Sequence, residues 1–134
     1  MSRNNIQLYF HLVFGTKYRE NLIPASLHYG LYGCIWDKCE QMEIIPIAVN
    51  GTENHVHLLF KSDSTSTSAQ IVNGVKGSSS YWLNQNKNLV EPFKWQRGYG
   101  LFTVSPKDVE MITNYIKKQK EHHKAGTVQN EWEE

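Results

Sequence analysis

The chain has 134 residues, 14 Lys plus Arg against 13 Asp plus Glu, and a formal net charge of +1 with histidine neutral. A hydrophobic fraction of 40% with 12% aromatics is that of a folded globule, and the length suits one core, so residues 1–134 are expected to form a single domain. No apolar run nears the roughly 20 residues that span a bilayer, and no secretory signal pattern is visible. Cys34 and Cys39 make neither a disulfide framework nor a Cx2C zinc site, so both are expected reduced, as in a cytoplasm. The net charge hides an uneven distribution: Lys94, Arg97, Lys107, Lys117, Lys118, Lys120 and Lys124 crowd the last third, and an acidic tail at 125–134 carries Glu131, Glu133 and Glu134.

In chain order, the even positions Ile6, Leu8, Phe10, Leu12 and Phe14 are all apolar, the period of a strand with one face in the core. After Pro24, the residues Leu27, Leu31, Cys34 and Ile35 recur at helical spacing. Ile44–Val49 and His55–Phe60, on either side of Asn50-Gly51, read as a hairpin with a turn of several residues. A serine-rich loop, Ser62–Ser68, leads to a helical stripe of Ile71, Val72, Val75 and Trp82. Gly74 and Gly77 weaken that stripe at about 1 kcal/mol each relative to alanine, and are expected to mark the close approach of another backbone or a substrate. Tyr99–Ser105 reads as a fourth strand. Ser105-Pro106, with Asp108 in the first turn, opens a last helix expected to run to about Lys124 over a stripe of Val109, Ile112 and Ile116. The order β-α-β-β-α-β-α predicts an α+β, ferredoxin-like split βαβ sandwich.

The chemistry concentrates at two places. His55 and His57 alternate with Val56 on a strand, so both imidazoles point one way while Val56 and Leu58 point into the core. Imidazole is a common metal ligand, but two leave a site incomplete, and such a pair alone fits solvent-facing or hydrogen-bonded histidines better than a metal site. On the last helix Tyr115 and Gln119 lie one turn apart on one face, at the rim of the core. Tyr115 offers a phenol oxygen, a nucleophile that needs activation because its intrinsic pKa is near 10; Gln119 offers a neutral oxygen ligand. A basic and aromatic set, Lys17, Arg19, Lys76, Lys94, Trp95, Arg97 and Tyr99, would suit a nucleic-acid partner. For Trp95 and Tyr99, packing and base stacking are both open. His122 and His123 follow Gln119 and are expected at the surface.

Four segments, Tyr9 to Arg19 (YFHLVFGTKYR), His55 to Phe60 (HVHLLF), Trp95 to Ser105 (WQRGYGLFTVS) and Tyr115 to Gln119 (YIKKQ), resemble the HUH single-tyrosine transposases of small insertion sequences, the insertion-sequence 200/605 type, over nearly the whole chain. The resemblance implies that His55 and His57 are the histidine pair, Tyr115 the nucleophile, and Gln119 the third protein ligand of a divalent ion, Mg or Mn. It implies cleavage and rejoining of single-stranded DNA through a 5′-phosphotyrosine, with hairpins at the element's ends as partners. It further implies a homodimer in which each tyrosine helix serves the other chain, in a bacterial or archaeal cytoplasm. Ser105-Pro106 is a place where that helix could swing. One departure is visible: many relatives carry an aspartate where this chain has Asn54, so an outer-shell carboxylate is not carried over. Two other functions fit the same fold. One is a non-catalytic single-stranded nucleic-acid binder, which would have no use for the His55, His57, Tyr115 and Gln119 quartet. The other is a related nicking enzyme of replication, or a domesticated relative, with the same chemistry.

Overall fold

The computed structural model describes residues 5–63, 65–86, 89 and 91–120. Within them the chain runs β1 (Leu8–Gly15), α1 (His28–Gln41), β2 (Ile45–Gly51), β3 (His55–Ser62), α2 (Ser68–Asn84), β4 (Gly100–Val104) and α3 (Val109–Lys117). The four strands form one sheet in the order β2-β3-β1-β4, and each neighbouring pair is antiparallel. This is the expected ferredoxin-like arrangement, with α1 and α2 packed together on one face and α3 on the other.

Each face of the sheet has its own core. Leu12 and Phe14 of β1 and Val56, Leu58 and Phe60 of β3 meet Leu31 and Ile35 of α1 and Ile71, Val72 and Val75 of α2. On the opposite face Ala48 of β2 and Leu59 of β3 meet Ile112, Tyr115 and Ile116 of α3. Because β3 is covered on both sides, His55 to Phe60 are all buried, which is why that run lacks the apolar and polar alternation of a half-exposed strand. Nine residues are too few for a helix to hold its shape alone. The short α3 is therefore a helix because its isoleucine stripe is buried on the sheet, each side chain worth about 1.5–3 kcal/mol.

Several boundaries differ from the sequence reading for identifiable reasons. β1 starts at Leu8 rather than Ile6, since Leu8 already faces Ser62, the last residue of β3. Asn50 and Gly51 are not the hairpin turn but the end of β2, paired with His57 and Val56, so the turn falls at 52–54. Gly51 lies so close to its partner strand that a side chain would run into the His55 carbonyl oxygen. Neither Gly74 nor Gly77 meets another backbone: Gly74 makes room for the Met42 thioether, and Gly77 has open space beside it. The last helix ends at Lys117. Lys118, with φ −100° and ψ 16°, interrupts it before Gln119 and Lys120 resume helical form. Residues 121–134, with His122, His123, Lys124 and the acidic tail, lie outside the described residues. Cys34 and Cys39 are both free thiols, and burial pushes the Cys39 thiol up to about 12. Among the described residues no helix is long and apolar enough to cross a membrane.

Candidate active site

The antiparallel register decides which side chains share the α3 face. Directly opposed residues point to the same side, so the pairs Gly15 with His55, Val13 with His57 and His11 with Leu59 place His11, His55 and His57 together. All three imidazoles are fully buried. His55 and His57 sit with ring centroids 5.1 Å apart, and His11 stacks on His57 at 5.0 Å.

α3 and the residues just past its end lower the two remaining members of the predicted quartet onto this face. The Tyr115 ring stands edge-on to His57 at 5.8 Å and is 7% exposed. One turn later Gln119 is fully buried, with Oε1 3.1 Å from His55 Nε2. The four residues picked out in the sequence therefore converge on one point.

Each histidine is held from behind. Asn54 Nδ2 donates to Asn21 Oδ1 at 3.2 Å and to the Arg19 carbonyl at 3.4 Å, which turns Asn54 Oδ1 toward His55. His55 Nδ1 then donates to that oxygen at 2.7 Å, with the Thr52 hydroxyl 3.1 Å from the same nitrogen. Asn54 thus supplies the acceptor that an aspartate would, without its charge. His57 Nδ1 and His11 Nε2 are hydrogen-bonded at 2.8 Å. His11 is the residue that sequence reasoning missed. Its signal was present, a polar residue at an odd position of an otherwise apolar strand, but only the pairing with β3 gives it meaning.

The end of α3 is latched as well. Asn50 Nδ2 donates to the carbonyls of Ile116 and Lys117, each at 3.0 Å, satisfying two of the acceptors that a helix end leaves open. Lys120 Nζ donates to Asn50 Oδ1 at 2.8 Å, to the Gly51 carbonyl at 2.9 Å and to the Tyr32 hydroxyl at 3.1 Å. Partial burial lowers the Lys120 pKa.

The geometry around Gln119 suits a cation. With Nδ1 of His55 protonated, its Nε2 carries a lone pair aimed at another lone pair on Gln119 Oε1, while Gln119 Nε2 is buried with no hydrogen-bond partner among the described residues. Turning the amide over would give His55 a donor and strand the oxygen instead. A divalent cation would take up both lone pairs at once, which is what this facing pair of acceptors lacks. Among the described residues no three His, Cys, Asp or Glu side chains gather as a ready cation cage.

The basic and aromatic residues separate into different roles. Trp95 belongs to the core: it is 9% exposed, packs edge-on against Phe14 and Phe93 at 4.6 and 4.7 Å, and donates from Nε1 to Ser79 Oγ at 2.9 Å. Lys76 is tied down, donating to the Gln96 and Gly98 carbonyls at 2.8 and 3.2 Å, and partial burial lowers its pKa. Lys17 and Lys94 are exposed. Arg19, Arg97 and Tyr99 line one cavity beside the histidine face.

Comparison with known proteins follows the same outline. The family model described as "Transposase IS200 like" matches residues 4–119. The ISDra2 transposase TnpA of Deinococcus radiodurans is 26% identical over 118 residues, covering 84% of each chain. Among solved structures, a transposase candidate from Deinococcus radiodurans superposes with a TM-score of 0.66 at 23% identity, over 89% of this chain and 98% of that one. A REP-associated tyrosine transposase bound to a REP hairpin gives 0.62 at 17% identity, over 96% and 74%.

Proposed function

Since the chain belongs to the IS200-like transposase family, we propose that it cleaves and rejoins single-stranded DNA by transesterification, with Tyr115 as nucleophile. The observation that carries this reading is the convergence of Tyr115 on α3 and Gln119 just beyond its end over the two buried histidines of β3. A binding module gains nothing from burying three imidazoles, a phenol and an amide at one point. A phosphodiester-transfer site needs a fixed nucleophile and a fixed electrophile next to it.

In the proposed reaction the Tyr115 oxygen attacks phosphorus, the P–O bond to the 3′ oxygen breaks, and the products are a 5′-phosphotyrosine and a free 3′-hydroxyl. A phosphodiester is exchanged for a phosphotyrosine ester of similar energy, so a 3′-hydroxyl can reverse the step without ATP. His55, His57 and Gln119 are the residues that would hold a divalent ion, Mg or Mn. When bound, that ion supplies polarisation of the phosphate and stabilises charge developing on its oxygens. Asn54 and His11 fix the tautomers, keeping the proton of each ligand imidazole on Nδ1 so that Nε2 faces the reaction. Burial of the cluster excludes water, which would otherwise compete with the 3′-hydroxyl in rejoining.

One tyrosine performs one cleavage at a time, so two ends require two sites. We take the working unit to be a homodimer acting on single strands with hairpins at the element's ends. In the single chain Tyr115 lies against its own His57; exchange of α3 between partners would require release of the Asn50 and Lys120 latch and a swing at Ser105-Pro106. Incubation with a single-stranded oligonucleotide carrying an end hairpin, with Mn or with chelator, followed by a denaturing gel, tests the reaction. A Mn-dependent protein–DNA adduct is expected, absent in His57→Ala. An adduct of equal yield in His57→Ala would contradict the ligand assignment.

A further inference from the structure

A cavity of about 380 Å³ opens at the β1–β4 side of the histidine face, walled by Gly15, Arg19, Arg97, Tyr99, Gly100 and Phe102 among others. We propose that it holds one unstacked nucleobase of the single strand, next to the phosphate that Tyr115 attacks; this rests on the reading above of a single-strand transesterase.

The position follows from strand register. Gly15 and Val13 lie opposite His55 and His57 on one side, and Gly100 lies opposite Val13 on the other. The cavity is therefore on the same face as the ligand imidazoles, about two strand spacings or roughly 10 Å away. A strand whose phosphate sits at the histidines and whose next nucleotide crosses β1 arrives there. The volume lies in the roughly 300–1,000 Å³ range of small-ligand sites, suited to one base with its sugar rather than a run of bases.

The lining is chemically suited to a base. Tyr99, exposed, and Phe102 present aromatic surfaces, and the planar guanidinia of Arg19 and Arg97 can stack on a base while neutralising the flanking phosphates. Among the described residues no carboxylate lines the cavity. Glycines at 15, 98 and 100 keep its wall low.

The cavity is also built in advance. Tyr18 and Arg19 both adopt left-handed backbone, with φ of 57° and 55°, a conformation that costs non-glycine residues about 1–3 kcal/mol each and concentrates at functional sites. Thr16 holds this kink, its hydroxyl donating to the Glu20 carbonyl at 2.6 Å and its own carbonyl accepting from Arg19 N at 3.1 Å. The kink folds Arg19 back over Gly15, where an added Cβ would sit 3.3 Å from its Nε. The opposite wall is pinned by Lys76, whose ammonium holds the Gln96 and Gly98 carbonyls, and by Gln96 N donating to the Gly15 carbonyl at 2.9 Å. Strain and clamps spent on a surface loop are accounted for if the loop must receive a ligand.

The test uses the full chain and fluorescent single strands of dT, dA, dC and mixed sequence, with and without an adjoining hairpin, read by polarisation. The same strands carrying 4-thiothymidine are then photo-cross-linked and the adducts mapped by mass spectrometry. Expected are adducts on the peptides containing Arg19 and Tyr99–Phe102. Tyr99→Ala should weaken binding on the order of tenfold, with Tyr99→Phe near wild type, and Arg97→Ala should reduce the salt dependence by about one counterion. Strands that bind wild type but cross-link only elsewhere, with Tyr99→Ala binding as wild type, overturn the base site and leave the strand-transfer reading standing. No binding of any strand by wild type overturns both.

Discussion

His11→Phe isolates the least expected member of the site. The substitution keeps an aromatic ring stacked at the 5.0 Å position over His57 and removes the ring nitrogens, including Nε2, which meets His57 Nδ1 at 2.8 Å. A buried N–H left without an acceptor costs about 1–3 kcal/mol, a loss that a domain with the usual 5–15 kcal/mol of stability tolerates, so the variant is expected to fold. The sharper consequence is for the proposed metal site. Without an acceptor behind Nδ1, the His57 proton is no longer fixed there and the ring loses its orientation, and losing such a partner lowers metal affinity about 10–100-fold. Urea unfolding measures the first effect, and a Mn titration followed by the free-ion EPR signal measures the second. His11→Gln, whose amide oxygen can accept the same proton, should recover part of the affinity. If His11→Phe is destabilised but binds Mn as tightly as wild type, His11 is only a core residue and the reasoning fails.

Other perturbations follow from particular contacts. Asn50→Ala removes both bonds to the last α3 carbonyls and one of the three acceptors of Lys120; it should cost about 1–2 kcal/mol and speed hydrogen exchange in α3 ahead of the sheet, whereas uniform exchange across both would show that Asn50 is not a latch. Gly51→Ala drives a methyl into the His55 carbonyl and should destabilise by about 2 kcal/mol or more, read as a lower unfolding midpoint. His28 has its pKa held below 6.5, mainly by burial, against the raising effect of its Nε2 bond to the Ile23 carbonyl. Its stabilising contribution is complete above pH 6.5, where folded and unfolded forms are both neutral, and declines as pH falls from 6.5 through the lower folded value. Urea midpoints across that range should fall less steeply for His28→Gln; parallel curves would exclude His28 as the group responsible.

Much of the architecture was legible because periodicity reports burial directly. Phe10, Leu12 and Phe14 of the even-position stripe of β1 and the Val109, Ile112 and Ile116 stripe of α3 became core-facing, while Ile6 and Leu8 at the stripe's start are exposed, and the alternation of His55 and His57 with Val56 and Leu58 fixed their opposite faces. What the sequence concealed depends on pairing between distant segments. His11 acquires a role only because β1 runs antiparallel to β3 with Val13 opposite His57. Asn50 has the composition of a turn residue, yet its side chain caps a helix 66 positions away. Trp95 has the composition of a stacking platform, yet Ser79, Phe14 and Phe93 enclose it. In each case residue type predicted the chemistry available and tertiary placement decided how it was used.

The central claim is that Tyr115 carries the covalent intermediate. The direct measurement is mass spectrometry of the adduct formed with an end-hairpin oligonucleotide and Mn, digested and searched for a nucleotide-modified tyrosine, in wild type and in Tyr115→Phe, which keeps the ring against His57. The account predicts modification at Tyr115 alone, and no adduct in Tyr115→Phe although that variant still binds the oligonucleotide. An adduct on another residue, or one that persists in Tyr115→Phe, would contradict it.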